Sequence, residues 1–153
     1  MQLVLDTHVW LDWLVFDGPQ HAPLREWLSG GQEPIILATQ AMLTEFERVI
    51  GRPQFALSAE RIAQCVSVQR ARVRRVIDAP DCRLPCSDPD DQCFIDLAVA
   101  HAADALLSRD KALRRLARHA RRRFGVQVLT PEAFLLTLGA PSRPFSKTQP
   151  QSG

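Results

Sequence analysis

Gln2-Leu3-Val4-Leu5-Asp6-Thr7-His8-Val9-Trp10 is a short apolar run that ends on an acid and passes directly into an amphipathic segment. Gln2 to Leu5 reads as a buried parallel strand, because a strand covered on both faces is apolar without alternation. Thr7 to Phe16 reads as a helix, broken by Asp17-Gly18-Pro19. A strand turning straight into a helix is half of a βαβ unit, and the signature recurs along the chain. Pro34 to Ala38 holds Ile35-Ile36-Leu37, and Thr39 can cap a helix through Ile50 with Met42, Leu43, Phe46, Val49 and Ile50 on one stripe. Ala105 to Leu107 is a strand leading to Ser108-Arg109-Asp110, followed by a basic helix from Lys111 to Arg123. Val126 to Leu129 is the last strand. Thr130-Pro131-Glu132 then opens a helix to Leu138 with a cap, a proline at the first position and an acid at the positive dipole end.

The stretches between fill in the pattern. His21 to Leu28 fits a helix closed by Gly30-Gly31, and Ser58 caps another with Ile62, Cys65 and Val66 facing inward. Val73 to Ile77 reads as a third strand. Asp78 to Asp90 is a loop carrying Pro80, Pro85 and Pro89, and Asp91 to Ala102 is a helix whose core face runs through Phe94, Ile95, Ala98 and Val99. Alternating strands and helices predict an α/β domain with a mainly parallel sheet over residues 1–139. Residues 140–153 are rich in Pro, Ser and Gln, bury little, and are expected to form a disordered tail.

A chain of 153 residues with 46% apolar and 24% charged positions can bury a core without disulfides or structural metals. It has no 18-residue apolar stretch, and its start lacks a basic region, so neither a membrane span nor a signal peptide is expected, and the cytoplasm is the expected compartment. Cys65, Cys82, Cys86 and Cys93 match no zinc spacing and read as thiols. Net charge is only +2, but it is segregated. Basic residues cluster at Arg70, Arg72, Arg74 and Arg75 and from Arg114 to Arg123, while acids gather at Asp88, Asp90, Asp91 and Asp96. Such separation suits a polyanion held near a cation, or simply solvated helix faces.

In parallel α/β sheets, ligands sit beyond the carboxyl ends of the strands. Asp6 follows the first strand at once, and Asp110 follows the Ala105–Leu107 strand, separated only by Ser108 and Arg109. Glu45 lies near the start of the helix after the second strand, and Asp91 opens the helix that feeds the Ala105–Leu107 strand. Two carboxylates about 4 Å apart repel by roughly 4 kcal/mol at an effective dielectric near 20, so four together must bind protons or a cation. An oxygen-only set suits Mg²⁺ or Mn²⁺ better than zinc. Asp96 diverges from Asp91 by roughly 140° around the helix, which makes it a water-mediated or second-metal ligand at most. Thr7 and Ser108 can donate to the carboxylates or to phosphate, or cap helices. Each acid also has a structural reading: turn acid, solvated helical Glu or helix cap.

Four blocks carry a resemblance to the PIN-domain ribonucleases: L5-D6-T7-H8-V9-W10-L11, L43-T44-E45-F46, D88-P89-D90-D91-Q92-C93-F94-I95-D96-L97-A98-V99-A100 and A103-D104-A105-L106-L107-S108-R109-D110-K111-A112-L113. The third block resembles the branch of toxin components of bacterial toxin–antitoxin systems. The resemblance implies a compact three-layer α/β/α sandwich and Mg²⁺- or Mn²⁺-dependent hydrolysis of RNA by water attack on phosphorus, leaving a 5′-phosphate and a 3′-hydroxyl. It places the acidic quartet on Asp6, Glu45, Asp91 and Asp110, with Asp96 as the variable extra acid and Asp90 as the alternative third ligand. It also implies a homodimer and a cognate antitoxin protein.

Beside Asp110, Arg109, Lys111, Arg114 and Arg115 are the expected contacts to the RNA backbone. Trp10, Trp13 and Trp27 read as core or dimer packing rather than base-stacking surfaces. A metal-dependent phosphatase opening on D-x-D is disfavoured, since His8 stands where the second Asp is needed. The remaining alternative is a non-catalytic regulatory or partner-binding module that keeps the acids for one ion.

Overall fold

The structure is a computed structural model and describes residues 1–31 and 33–139. The expected tail at 140–153 lies outside the described residues. Five strands, β1 (Gln2–Leu5), β2 (Ile35–Ala38), β3 (Val73–Arg75), β4 (Ala105–Leu107) and β5 (Gln127–Leu129), form one sheet in the order β3-β2-β1-β4-β5. Every pairing is parallel. The helices are α1 (Thr7–Leu14), α2 (Ala22–Ser29), α3 (Gln40–Ile50), α4 (Ala59–Arg72), α5 (Gln92–Ala100), α6 (Lys111–Arg114), α7 (Ala117–Phe124) and α8 (Pro131–Gly139).

Alternation along the central strands sends side chains to two cores. Leu3, Leu5, Ile36, Ala105 and Leu107 point to one face, where they meet Trp10, Leu28, Phe46, Ile50 and Phe134. Val4, Leu37 and Leu106 point to the other, against Phe94, Ile95, Leu97, Leu113 and Ala120. Helices therefore cover both faces, which is the three-layer sandwich expected from the sequence. Trp10 and Trp13 belong to the first core, stacked at 5.1 Å, and Trp27 packs edge-on against Phe134 at 5.2 Å.

Three elements differ from their sequence reading. The third strand stops at Arg75, because β3 is a sheet edge whose Arg74 and Arg75 face solvent and Ile77 is 86% exposed. Charged side chains on an edge also discourage pairing with another chain. The helix expected from Asp91 begins at Gln92, with Pro89–Asp91 forming a 3₁₀ turn before it. The basic helix expected over Lys111 to Arg123 is two helices. At the break, the Leu116 amide bonds to Leu113 O, and the chain restarts as α7. That bend lets both Leu113 and Ala120 reach full burial in the same core.

The sheet order reverses between β1 and β4, since the chain moves outward from β1 to β3 and then returns to the other side of β1. The crevice at the carboxyl ends of these two strands is the favoured ligand position in such sheets. Asp6 N donates to Leu107 O across it at 3.1 Å.

Candidate metal centre

Asp6 leaves β1 buried, with only 4% of its surface exposed. Its Oδ1 accepts from Val9 N at 2.9 Å and caps α1, while its Oδ2 accepts from the Ser108 hydroxyl. That hydroxyl in turn accepts from Asp110 N at 2.9 Å. Ser108 thus ties the ends of β1 and β4 together. Asp110 caps α6 by accepting from Ala112 N at 2.7 Å through Oδ1. The Asp110 cap uses one of its carboxylate oxygens, whereas both oxygens of Asp6 already accept hydrogen bonds.

One carboxylate oxygen each from Asp88, Asp91 and Asp110 lie within 4.8 Å of one another. Asp6, Thr7, His8, Asp91, Arg109 and Asp110 line a cavity of about 360 Å³ at the same place. Between the neighbours Asp90 and Asp91, it is Asp91 that joins this convergence. Asp90 is exposed and lines the adjoining groove. Burial, then the hydrogen bond and charge of Asp110, then the charges of Asp88 and Asp6, push Asp91 up to about 7. Burial likewise raises Asp6, against the lowering effect of its bonds from Ser108 and Val9. A pocket that holds a proton on an ordinary carboxyl near neutral pH is short of positive charge. Hard oxygen donors at this spacing fit a divalent cation such as Mg²⁺ or Mn²⁺.

Glu45 occupies a neighbouring groove of about 450 Å³, which shares Thr7, His8 and Asp91 with the first cavity. There its carboxylate pairs with Arg48 at 2.8 Å, so the fourth acid stands on the rim rather than inside the three-carboxylate group. Asp96 points elsewhere. Its Oδ1 accepts from Cys82 N at 3.1 Å and from the Gln92 amide at 3.0 Å. Gln92 also accepts from Cys86 N at 2.7 Å and donates to Leu84 O at 3.0 Å. Asp96 and Gln92 therefore shape the loop before α5, the segment that carries Asp88 into the site.

Of the expected RNA contacts, Lys111, Arg114 and Arg115 are exposed beside Asp110. Arg109 is committed within the protein. Its Nε donates to the buried Asp12 at 2.7 Å, and its Nη1 and Nη2 donate to Glu132 at 2.7 and 2.6 Å. Glu132 and Asp12 push this guanidinium further up, and Arg109 holds Glu132 below its ordinary value. These pairs make Arg109 a strut between β4, α1 and α8 that also lines the carboxylate cavity.

Four residues at the site, three of them lining its cavities, have no assignment from the sequence. Asp88 was visible only as a helix-start acid. His8 had its adjacency to Asp6 as a signal. Arg48 and Arg52 line the Glu45 groove together with His8, and the spacing of the two arginines from Glu45 is the available cue. The cysteines are free thiols, as expected, with only Cys93 exposed at the groove.

The chain is an all-parallel α/β sandwich whose carboxylates gather at the topological switch point, the position where ligands sit in sheets of this class. A family model for the PIN domain matches residues 2–112, and the chain belongs to that family. Among solved structures, the crystal structure of VapBC2 from Rickettsia felis bound to a DNA fragment from their promoter is similar, with a TM-score of 0.57 at 12% identity, over 84% of this chain and 97% of that chain. The PIN domain of human SMG5 gives a TM-score of 0.45 at 11% identity, over 90% of this chain and 99% of that one. No curated protein sequence matches.

Proposed function

We propose that this PIN domain is a Mg²⁺- or Mn²⁺-dependent endoribonuclease, the toxin of a toxin–antitoxin pair. The observation that carries the reading is the meeting of Asp88, Asp91 and Asp110 within 4.8 Å beside the buried Asp6. Asp91, Asp110 and Asp6 would hold the cation, with Asp88 beside them and Glu45 reaching in from the rim. The cation, when bound, supplies charge compensation for phosphate and raises the acidity of water. The chain's own part is positioning. Ser108 fixes the Asp6 carboxylate by its hydroxyl and the Asp110 main chain by its oxygen. The Asp6 and Asp110 caps keep both carboxylates at helix starts. Arg48, Arg52, Lys111, Arg114 and Arg115 flank the pocket with positive charge for the RNA backbone. Water adds to phosphorus, the P–O3′ bond breaks, and the 3′ oxygen leaves with a proton as a hydroxyl.

The toxin reading rests on the wording of the D88-P89-D90-D91 block and on the fold likeness to VapBC2. A homodimer, a cognate antitoxin and a cytoplasmic setting belong to the same proposal. The described residues contain no helix long and apolar enough to cross a membrane.

The test is cleavage of a mixed RNA substrate with Mg²⁺ or Mn²⁺ and with EDTA, and with the Asp6→Asn protein alongside. Cation-dependent cleavage that leaves 5′-phosphates and is lost in Asp6→Asn is expected. Cation binding without any cleavage would move the assignment to the non-catalytic module. Cleavage that survives Asp6→Asn would place the activity outside this pocket.

A further inference from the structure

Many arginines of this chain have partners within the protein. Arg48 and Arg70 pair with Glu45 and Glu47, and Arg109 with Asp12 and Glu132. Arg25, Arg61 and Arg72 donate to main-chain carbonyls. The segment after Asp110 is different. Lys111, Arg114, Arg115, Arg118, Arg121 and Arg122 are all exposed, and none forms an ion pair among the described residues. No acid occurs between Lys111 and Pro131.

Their spacing by three and four residues lines them up on the outer face of α6 and α7. The inner face is occupied by Leu113 and Ala120, both fully buried. The favourable end of the helix dipole accounts for Arg121 and Arg122 in the last turn of α7 and for Arg114 at the end of α6, but Arg118 stands in the first turn of α7, where the dipole disfavours a cation. Like charges at these spacings repel, and interleaved acids would have relieved them. The row starts one residue from Asp110 and runs away from the sheet's carboxyl edge, because α7 leads back to the start of β5. Arg118, Arg121 and Arg122 line a groove of about 390 Å³ against the edge strand β5. The α7 helix alone carries it for roughly 12 Å.

We infer that this face is a second binding site for the RNA backbone: a single strand engaged at the carboxylate pocket continues along α7, with phosphates neutralised by Arg118, Arg121 and Arg122. The inference rests on the nuclease reading above for the identity of the polyanion. RNA is favoured over an acidic protein because a strand presents phosphates at regular intervals along a line, as the row presents cations, and because the row begins at the pocket itself. The protein should therefore prefer substrates that extend several nucleotides beyond the scissile bond.

The experiment measures binding by fluorescence anisotropy, using Asp6→Asn protein with Mg²⁺ so that no substrate is consumed. Labelled single-stranded RNAs of about 4 and about 16 nucleotides are compared. The triple change Arg118→Gln, Arg121→Gln, Arg122→Gln should weaken the longer RNA and leave the shorter one unchanged. Because three phosphates are then no longer neutralised, the slope of log affinity against log salt should fall by about 2, so that wild-type arginines lose roughly 20-fold more affinity than the variant between about 50 and 200 mM salt. The matching Lys triple variant should keep the slope, since a phosphate is neutralised by either cation. An unchanged slope in the Gln variant, with circular dichroism showing it folded, would overturn the inference. So would a polyglutamate peptide binding this face more tightly than RNA. Failure of the nuclease reading reads out separately, as absence of cleavage by the wild-type protein while the salt-dependent binding of long RNA persists.

Discussion

Removing the charge of Asp110 should weaken cation binding and shift its pH dependence downward. In the metal-free protein Asp91 titrates at about 7, raised by its burial and by Asp110, Asp88 and Asp6. A carboxyl raised on folding stabilises the protein fully below its ordinary value of 3.8, and that contribution is lost as pH climbs through 7. Metal-free protein should thus lose thermal stability between about pH 4 and pH 8 on account of this group. A divalent cation must displace the same proton, so below pH 7 its apparent affinity should fall tenfold per unit, about 1.4 kcal/mol. With Mn²⁺ set at about 100 times its high-pH Kd, the stabilisation should be about 2.7 kcal/mol at pH 8, about 1.4 at pH 6 and about 0.4 at pH 5. For a domain of this size each kcal/mol is about 2–4 °C in Tm. Thermal melts with and without Mn²⁺ across that range measure it directly. In Asp110→Asn the pH dependence should move several tenths of a unit or more toward pH 4, and the Mn²⁺ shift should shrink at every pH because a ligand is gone. A Mn²⁺ shift that is the same at pH 5 and pH 8, or an Asp110→Asn profile superimposable on wild type, would refute the argument that these carboxylates share one cation site.

Further outcomes follow from the same interactions. Arg109→Ala leaves the buried Asp12 without its 2.7 Å partner and should cost about 3 kcal/mol in urea unfolding, whereas Glu132→Ala, at the exposed end of the strut, should cost less than about 1 kcal/mol; equal costs would contradict the geometry. Asp96→Ala strands the Cys82 amide and removes one of the Gln92 side chain's three partners, so it should cost about 2 kcal/mol and speed proteolysis within residues 78–88; protection equal to wild type there would show that the loop is held by something else. Phe46→Ala empties the centre of the face that carries Trp10 and Ile50 and should cost about 3–5 kcal/mol by denaturant midpoint, with the far-ultraviolet spectrum kept.

Several features of the fold could be read before any coordinates because their causes are local. An unbroken apolar run such as Leu3-Val4-Leu5 can be stable only when covered on both faces, and that requirement is visible in the residues themselves. Asp6 and Asp110 stand one and three positions past their strands, too close for any folding of the chain to send them to the other edge. Asp91 is different, since its distance from Asp110 depends on how α5 packs under β1 and β4. Glu45 lies on a helix whose tilt decides whether it enters the pocket or, as observed, meets Arg48 on the rim.

Taken alone, the order of residues determined the layered α/β architecture, the edge of the sheet that carries the acids and the basic character of the chain that follows Asp110. Tertiary structure decided which acids meet. Asp88 reaches Asp91 and Asp110 only because Gln92 and Asp96 bind the loop at Leu84, Cys86 and Cys82, and Arg109 is tied within the protein because Asp12, distant in sequence, is buried beside it. Periodicity reports how each segment faces its own core. Hydrogen bonds and charges between remote segments are set by packing, and no local pattern records them.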